Sequence, residues 1–240
     1  KNAHEKLSKR NGDASFQDLV AKGYIREAIV NYIALLGWNP GDNREKMSME
    51  EMIDAFSLGG LHKAPSIFDE PKLRWLSGEY VRAMSAEQFA EAALPFLKAS
   101  KAYGKFDTAA LLRIVQPRVE ILSEIPEKLD FLAGFSKIDE ALYFNKKMKS
   151  DADVARQVLP AAEDVLRGLP SFANADIYAA LVALAQERGM KNGQVLWCVR
   201  IALTAKESTP GGASEMAELL GREESLARLA KAQAWLRGEE

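Results

Sequence analysis

Apolar residues recur at three- and four-residue spacing along nearly the whole 240-residue chain, and strict alternation over five or more residues is hard to find. A period near 3.6 puts such residues on one helix face, whereas a half-buried strand needs a period of two, so the pattern predicts an all-α protein. Helix starts recur as a hydroxyl residue three positions before a side chain able to reach back: Ser48 with Glu51, Ser85 with Gln88, and Ser150 with Asp153. Asp69 followed by Pro71 is a further start, because proline is tolerated in a first turn whose N–H groups lack partners. Gly37, Gly189 and Gly221 mark stops, each where a residue at ease with positive φ can close a last turn. The pattern predicts helices over roughly 15–22, 25–36, 48–56, 70–83, 86–99, 107–122, 139–147, 151–168, 175–188, 193–205, 213–220 and 223–237. Some of these stretches are expected to merge, leaving about nine to eleven helices. Pro117 and Pro126 should kink or divide the helix they fall in.

With 48% apolar and 28% charged residues the chain is suited to an ordered globular structure, and its length suggests more than one packed unit. The segment GLHKAPSIFDEP and the Ser-Asp-Ala-Asp entry at 150–153 mark changes of unit, and no internal repeat is visible. A formal net charge of −2 announces no polyanionic partner, so a nucleic-acid site would have to be a local patch. Two such clusters stand out: Lys1, Lys6, Lys9 and Arg10 against Glu5, and Lys101, Lys105, Arg113 and Arg118 against Asp107.

Cys198 is the single cysteine, which excludes an internal disulfide, and with only His4 and His62 beside it no metal site is expected. No stretch of eighteen apolar residues and no signal-like segment occurs, so the expectation is a cytoplasmic chain without a membrane partner. Trp38, Trp75, Trp197 and Trp235 sit at helical spacing among aliphatic neighbours and read as core, as does Cys198 within an apolar helix. No catalytic triad, acid–base pair or metal-ligand spacing is found.

The most informative string is Lys6-Leu7-Ser8-Lys9-Arg10. Two lysines flanking a small hydroxyl residue can offset phosphate charge as it develops in a transition state; read alone, the string is equally an exposed basic segment. In context, KLSKR resembles the signature loop of class I aminoacyl-tRNA synthetases in the form typical of bacterial glutamyl-tRNA synthetases. AIVNYIALLGWNPGD is similar to that family's helix and turn after the loop, FSLGGLHKAPSIFDEPKLRWLSGEYV to its next region, and GMKNGQVLWCVRIALTAKESTPGGASEMAELLGREESLARL to its closing region. The likeness runs in order through essentially the whole chain.

The resemblance implies a stem-contact helical region over residues 1–82 that includes the KLSKR loop, then two packed anticodon-binding helical units over 83–142 and 143–240. It implies no Rossmann domain, since in this family the adenylate-forming site precedes the loop. The isolated chain is therefore expected to be inactive as a ligase, with Lys6, Ser8 and Lys9 contacting ATP phosphates only in the intact enzyme, where ATP and Mg2+ are the cofactors. The implied partner is a glutamate-accepting tRNA, bound by a monomer, with no DNA partner. By motif position Arg118 in Gln-Pro-Arg resembles the family's arginine that inspects the third anticodon base, and Arg200, Thr209 and Pro210 match further anticodon positions. A planar guanidinium can discriminate one base edge from another and stack on an unpaired base. The competing readings are an Arg118 that bridges two helices, an Arg200 in a salt bridge, and a stand-alone helical adaptor that kept the fold but binds protein. The sequence departs from the family pattern at Asn11, Ser77, Cys198 and Ala205, the last two flanking Arg200.

Overall fold

The computed structural model describes residues 15–62 and 66–239. Among them no strand is formed, and twelve α-helices account for most of the chain: α1 (Phe16–Ala21), α2 (Arg26–Gly37), α3 (Met49–Ala55), α4 (Glu70–Ala83), α5 (Ala86–Lys98), α6 (Thr108–Val115), α7 (Ile125–Leu129), α8 (Ala152–Arg167), α9 (Asn174–Glu187), α10 (Asn192–Thr204), α11 (Ala213–Leu220) and α12 (Arg222–Leu236). The chain divides into two compact units, residues 1–97 with 116–125, and residues 98–115 with 126–240.

Several helix starts follow the expected chemistry. Ser48 caps α3, its Oγ accepting from the Glu51 N–H at 3.2 Å while Glu51 accepts from the Ser48 N–H at 2.7 Å. Ser85 and Gln88 make the same reciprocal pair at 3.2 and 2.9 Å, and Asp69 caps α4 with Pro71 in its first turn. The Ser150 expectation is corrected by one residue. Asp151 caps α8 by accepting from the Val154 N–H, and Ser150 is buried with its Oγ 3.2 Å from Cys198 Sγ. Gly189 and Gly221 take positive φ as foreseen, but Gly37 does not, because α2 runs through it into an extended Trp38.

The long helix expected at 107–122 stops at Val115, where the proline at 117 denies the backbone a donor and a 3-10 turn, Gln116–Arg118, takes over. Pro126 sits in the first turn of α7 rather than kinking a longer helix. The helix expected at 139–147 reduces to the 3-10 turn Glu140–Tyr143, after which Asn145 and Ser150 exchange two backbone hydrogen bonds and close a tight turn.

In the first unit, the segment 116–125 is tied in as a strap. The Leu122 N–H donates to the Gly23 carbonyl at 2.9 Å, and Arg74 pairs with both Glu120 and Glu124. Gly23 is required there: its φ is +88, and a Cβ would fall 2.8 Å from the Ser123 nitrogen. Ser77, one of the departures from the family pattern, is fully buried and accepts from the Ile25 N–H at 3.3 Å. Trp38 and Trp197 are buried as expected, whereas Trp75 is 40% exposed and is not core.

The second unit packs α8 to α12 around Leu159, Leu181, Val199, Ile201 and Leu229. Its helix ends are closed by arginines. The last four carbonyls of any α-helix lack intrahelical partners, and a guanidinium can supply several donors at once. Arg228, 3% exposed, donates to the carbonyl of Leu203 in the last turn of α10 at 2.9 Å and to that of Leu132 at 3.1 Å. It also pairs with Glu224 at 2.7 Å and lies over the Phe135 ring. Arg222 donates to the carbonyls of Leu166, Arg167 and Leu169 at and beyond the end of α8, and Arg156 of α8 donates to the Leu236 carbonyl that ends α12. An Arg228→Met variant keeps apolar bulk but strands two buried carbonyls, so urea unfolding should show a loss of roughly 2–5 kcal/mol. A loss below about 0.5 kcal/mol would show that water or a rearranged neighbour replaces the guanidinium.

Candidate functional site

The residues proposed from sequence fall in different places. Lys6, Ser8 and Lys9, with His4 and Asn11, lie outside the described residues. Arg118 belongs to the first unit, and Arg200, Thr209 and Pro210 to the second.

Arg118 is exposed, at the end of the Gln116–Arg118 turn. Its two neighbours explain that placement. Gln116 Nε2 donates to the carbonyls of Val81 and Met84 at the end of α4, at 3.0 and 2.9 Å, and Val119 is fully buried. With these positions anchored inward, Pro117 and Arg118 form the outward part of the turn.

In the second unit a cleft of about 590 Å3 opens among α9, α10 and α11. Its lining includes Tyr178, Trp197, Arg200, Asn174, Ser214 and Met148. The volume lies within the range of roughly 300–1,000 Å3 that small organic groups occupy. Its chemistry suits a flat, partly polar guest. Arg200 lies with its guanidinium carbon 4.6 Å from the centre of the Trp197 ring, and Trp197 is itself held by donating from Nε1 to the Leu142 carbonyl at 3.1 Å. Burial pulls the Arg200 pKa below its ordinary value, opposed by the Glu207 carboxylate, yet a guanidinium remains a cation at neutral pH. Tyr178 leaves 48% of its surface open, and Asn174 Oδ1 is a buried acceptor with no hydrogen-bond partner among the described residues.

The loop after α10 leads back to the cleft wall at Gly212. Ala205 closes the helix at φ +53, and Arg200 donates to the Glu207 carbonyl at 2.8 Å, which ties the loop back onto α10. Thr209 is half-buried with its hydroxyl donated to the Gly211 carbonyl at 2.7 Å, and Pro210 is buried. The Pro210 ring is therefore packed inward and presents no open face. Gly211 packs so closely that a Cβ would meet Ile114 Cδ1 at 2.6 Å. Its successors Gly212, Ala213, Ser214 and Glu215, at the start of α11, line the cleft instead.

Of the cleft residues, Arg200 was named from sequence as an anticodon contact and Trp197 as core, whereas Tyr178 and Asn174 were not named. Trp197 was readable as core and is buried; only its partnership with Arg200 three residues on, one helical turn away, signals the second role. Among the described residues no group of acidic, histidine or cysteine side chains could hold a metal ion, and no helix is long and apolar enough to cross a membrane.

Comparison with known proteins gives the cleft a context. The family model described as "Anticodon binding domain" matches residues 88–233, and that of "tRNA synthetases class I (E and Q), catalytic domain" matches residues 1–75. Among similar proteins is the glutamate–tRNA ligase of Clostridium botulinum, 46% identical over 229 residues covering 95% of this chain and 47% of the relative. That of Clostridium acetobutylicum is 42% identical over the same shares. Among solved structures, a glutamate tRNA ligase from Elizabethkingia meningosepticum in complex with its amino acid superposes with a TM-score of 0.80 at 26% identity. It covers 98% of this chain and 49% of its own. The chain thus spans about half the length of the relatives it matches.

Cys198 lies on α10 next to Trp197. Burial pushes its thiol up to about 11, with the Ser150 contact opposing, so the reactive thiolate is scarce at neutral pH. The folded chain should resist a disulfide-exchange reagent at about pH 8 and react only on unfolding; prompt labelling of the folded chain would mean that α10 opens locally.

Proposed function

The chain belongs to the anticodon-binding-domain family in the form that glutamate–tRNA ligases carry, and from that premise we propose that it binds a glutamate-accepting tRNA. On this reading the second-unit cleft takes one unpaired anticodon base. The observation that supports it is the conjunction, inside the matched domain, of a guanidinium stacked on an indole and an open phenol ring beside it. Unpaired bases are recognised through such stacking platforms together with hydrogen bonds to their edges.

The division of labour follows from the two settings. Arg118, exposed and carried by an anchored turn, reads the third anticodon base on this proposal, while Arg200, itself stacked on Trp197, offers its outer face to a base and ties the 205–212 loop in place. Phosphate contacts supply most of the affinity, and base contacts supply the discrimination. In the whole ligase this reading would be coupled to attachment of glutamate. The relatives named above give no support to the competing reading, a stand-alone protein adaptor.

The test is binding of glutamate tRNA and of a transcript altered at the third anticodon base. Arg118→Ala should lose roughly 5- to 150-fold in discrimination between the two, the equivalent of about 1–3 kcal/mol, with a smaller loss in overall affinity. Arg200→Lys, which keeps the charge but not the planar stack, should also weaken binding of the glutamate tRNA. Equal losses of Arg118→Ala on both RNAs would reject its assignment, and failure of the wild-type chain to bind the tRNA at any salt concentration would reject the proposal as a whole.

A further inference from the structure

The tight turn 145–150, read from sequence as the end of a helix, carries three lysines in four residues, Lys146, Lys147 and Lys149. We propose that it is a phosphate-binding arm, which grips the sugar–phosphate backbone next to the base held in the cleft. The inference rests on the tRNA-binding reading above and adds to it the site that supplies charge.

The arm is built rather than loose. Asn145 and Ser150 exchange backbone hydrogen bonds at 2.9 and 3.1 Å, Asn145 Oδ1 accepts from the Met148 N–H at 3.0 Å, and Lys149 sits at φ +56. That left-handed conformation is uncommon for a long side chain and has to be held by its surroundings. Here Gln194 of α10 donates to the Lys149 carbonyl at 2.9 Å, and buried Ser150 meets Cys198 on the same helix at 3.2 Å. The turn is thus fixed to the helix that carries Trp197 and Arg200.

Its position sets its partner. Met148, between Lys147 and Lys149, lines the cleft, and Gly193 lets it approach, since a Cβ there would fall 2.7 Å from Met148 Sδ. All three lysines are exposed, and none has an ion-pair partner among the described residues. The nearby acids are engaged elsewhere: Asp151 caps α8, Asp139 accepts from the Ala141 N–H, and Glu140 and Asp153 pair with Arg156. Unneutralised ammonium groups beside an aromatic cleft fit a polyanion whose unpaired bases stack, because each cation offsets a phosphate while the rings take a base. In a chain of net charge −2 attraction for RNA has to come from local patches such as this one.

The experiment is titration of the chain with glutamate tRNA over a series of salt concentrations. Lys146→Gln/Lys147→Gln leaves the strained Lys149 untouched, so the fold is spared. The slope of log affinity against log salt should flatten by roughly 1.5, from about 0.7–0.9 per neutralised phosphate. Discrimination against the altered anticodon should stay as in wild type, and Lys146→Arg/Lys147→Arg should restore the slope. Wild-type slope and affinity in the glutamine variant would overturn the arm while leaving tRNA binding intact. Absence of tRNA binding by the wild-type chain would overturn both.

Discussion

Helix ends are the constraint on which the second unit depends. An all-α unit has no ladder to absorb the carbonyls left over at each C-terminus, and burying them unpaired costs about as much as the unit's net stability can spare. Three arginines meet that demand across helices: Arg228 for α10, Arg222 for α8 and Arg156 for α12. Each places a cation where the helix dipole favours one, so geometry and electrostatics agree. Because the donors come from neighbouring helices, closing the ends also fixes how α8, α10 and α12 pack.

The cleft inherits this rigidity. α10 is held at its end by Arg228, and the loop beyond it is held by Arg200 itself, so the stack of Arg200 on Trp197 is set before any ligand arrives. A preformed platform spares a bound base the cost of ordering its receptor. The same helix anchors the lysine turn through Gln194 and Cys198, so the proposed base platform and the proposed phosphate arm share one support. The first unit uses the same economy at Arg118, whose exposure follows from the inward anchoring of Gln116 and Val119.

Much of the helical framework was readable from local chemistry. The 3.6-residue period and the Ser48, Ser85 and Asp69 caps depend on residues a few positions apart, and these were found where expected. What escaped depends on distant partners. Ser150 looked like a cap, but Asp151 offers a carboxylate to the same turn and frees Ser150 to pack on Cys198. The 139–147 helix fails because Asn145 closes on Ser150 instead, and Trp75 is exposed although its apolar neighbours resemble those of buried Trp38. Arg200, which lines the cleft, was named through family resemblance, as was Arg118 in the other unit. Tyr178, Asn174 and the lysine turn were not, since they meet Arg200 or Met148 only once α9, α10 and the 145–150 turn are assembled.

On the proposed reading one anticodon base lies in the second-unit cleft between Tyr178 and the Arg200 guanidinium that covers Trp197. It is tested most directly by photo-crosslinking a glutamate tRNA that carries a single 4-thiouridine in its anticodon, followed by mass-spectrometric mapping of the adduct. The account predicts a crosslink on the α9 or α10 segment containing Tyr178 or Trp197. Crosslinks confined to residues remote from α9, α10 and α11 would contradict it.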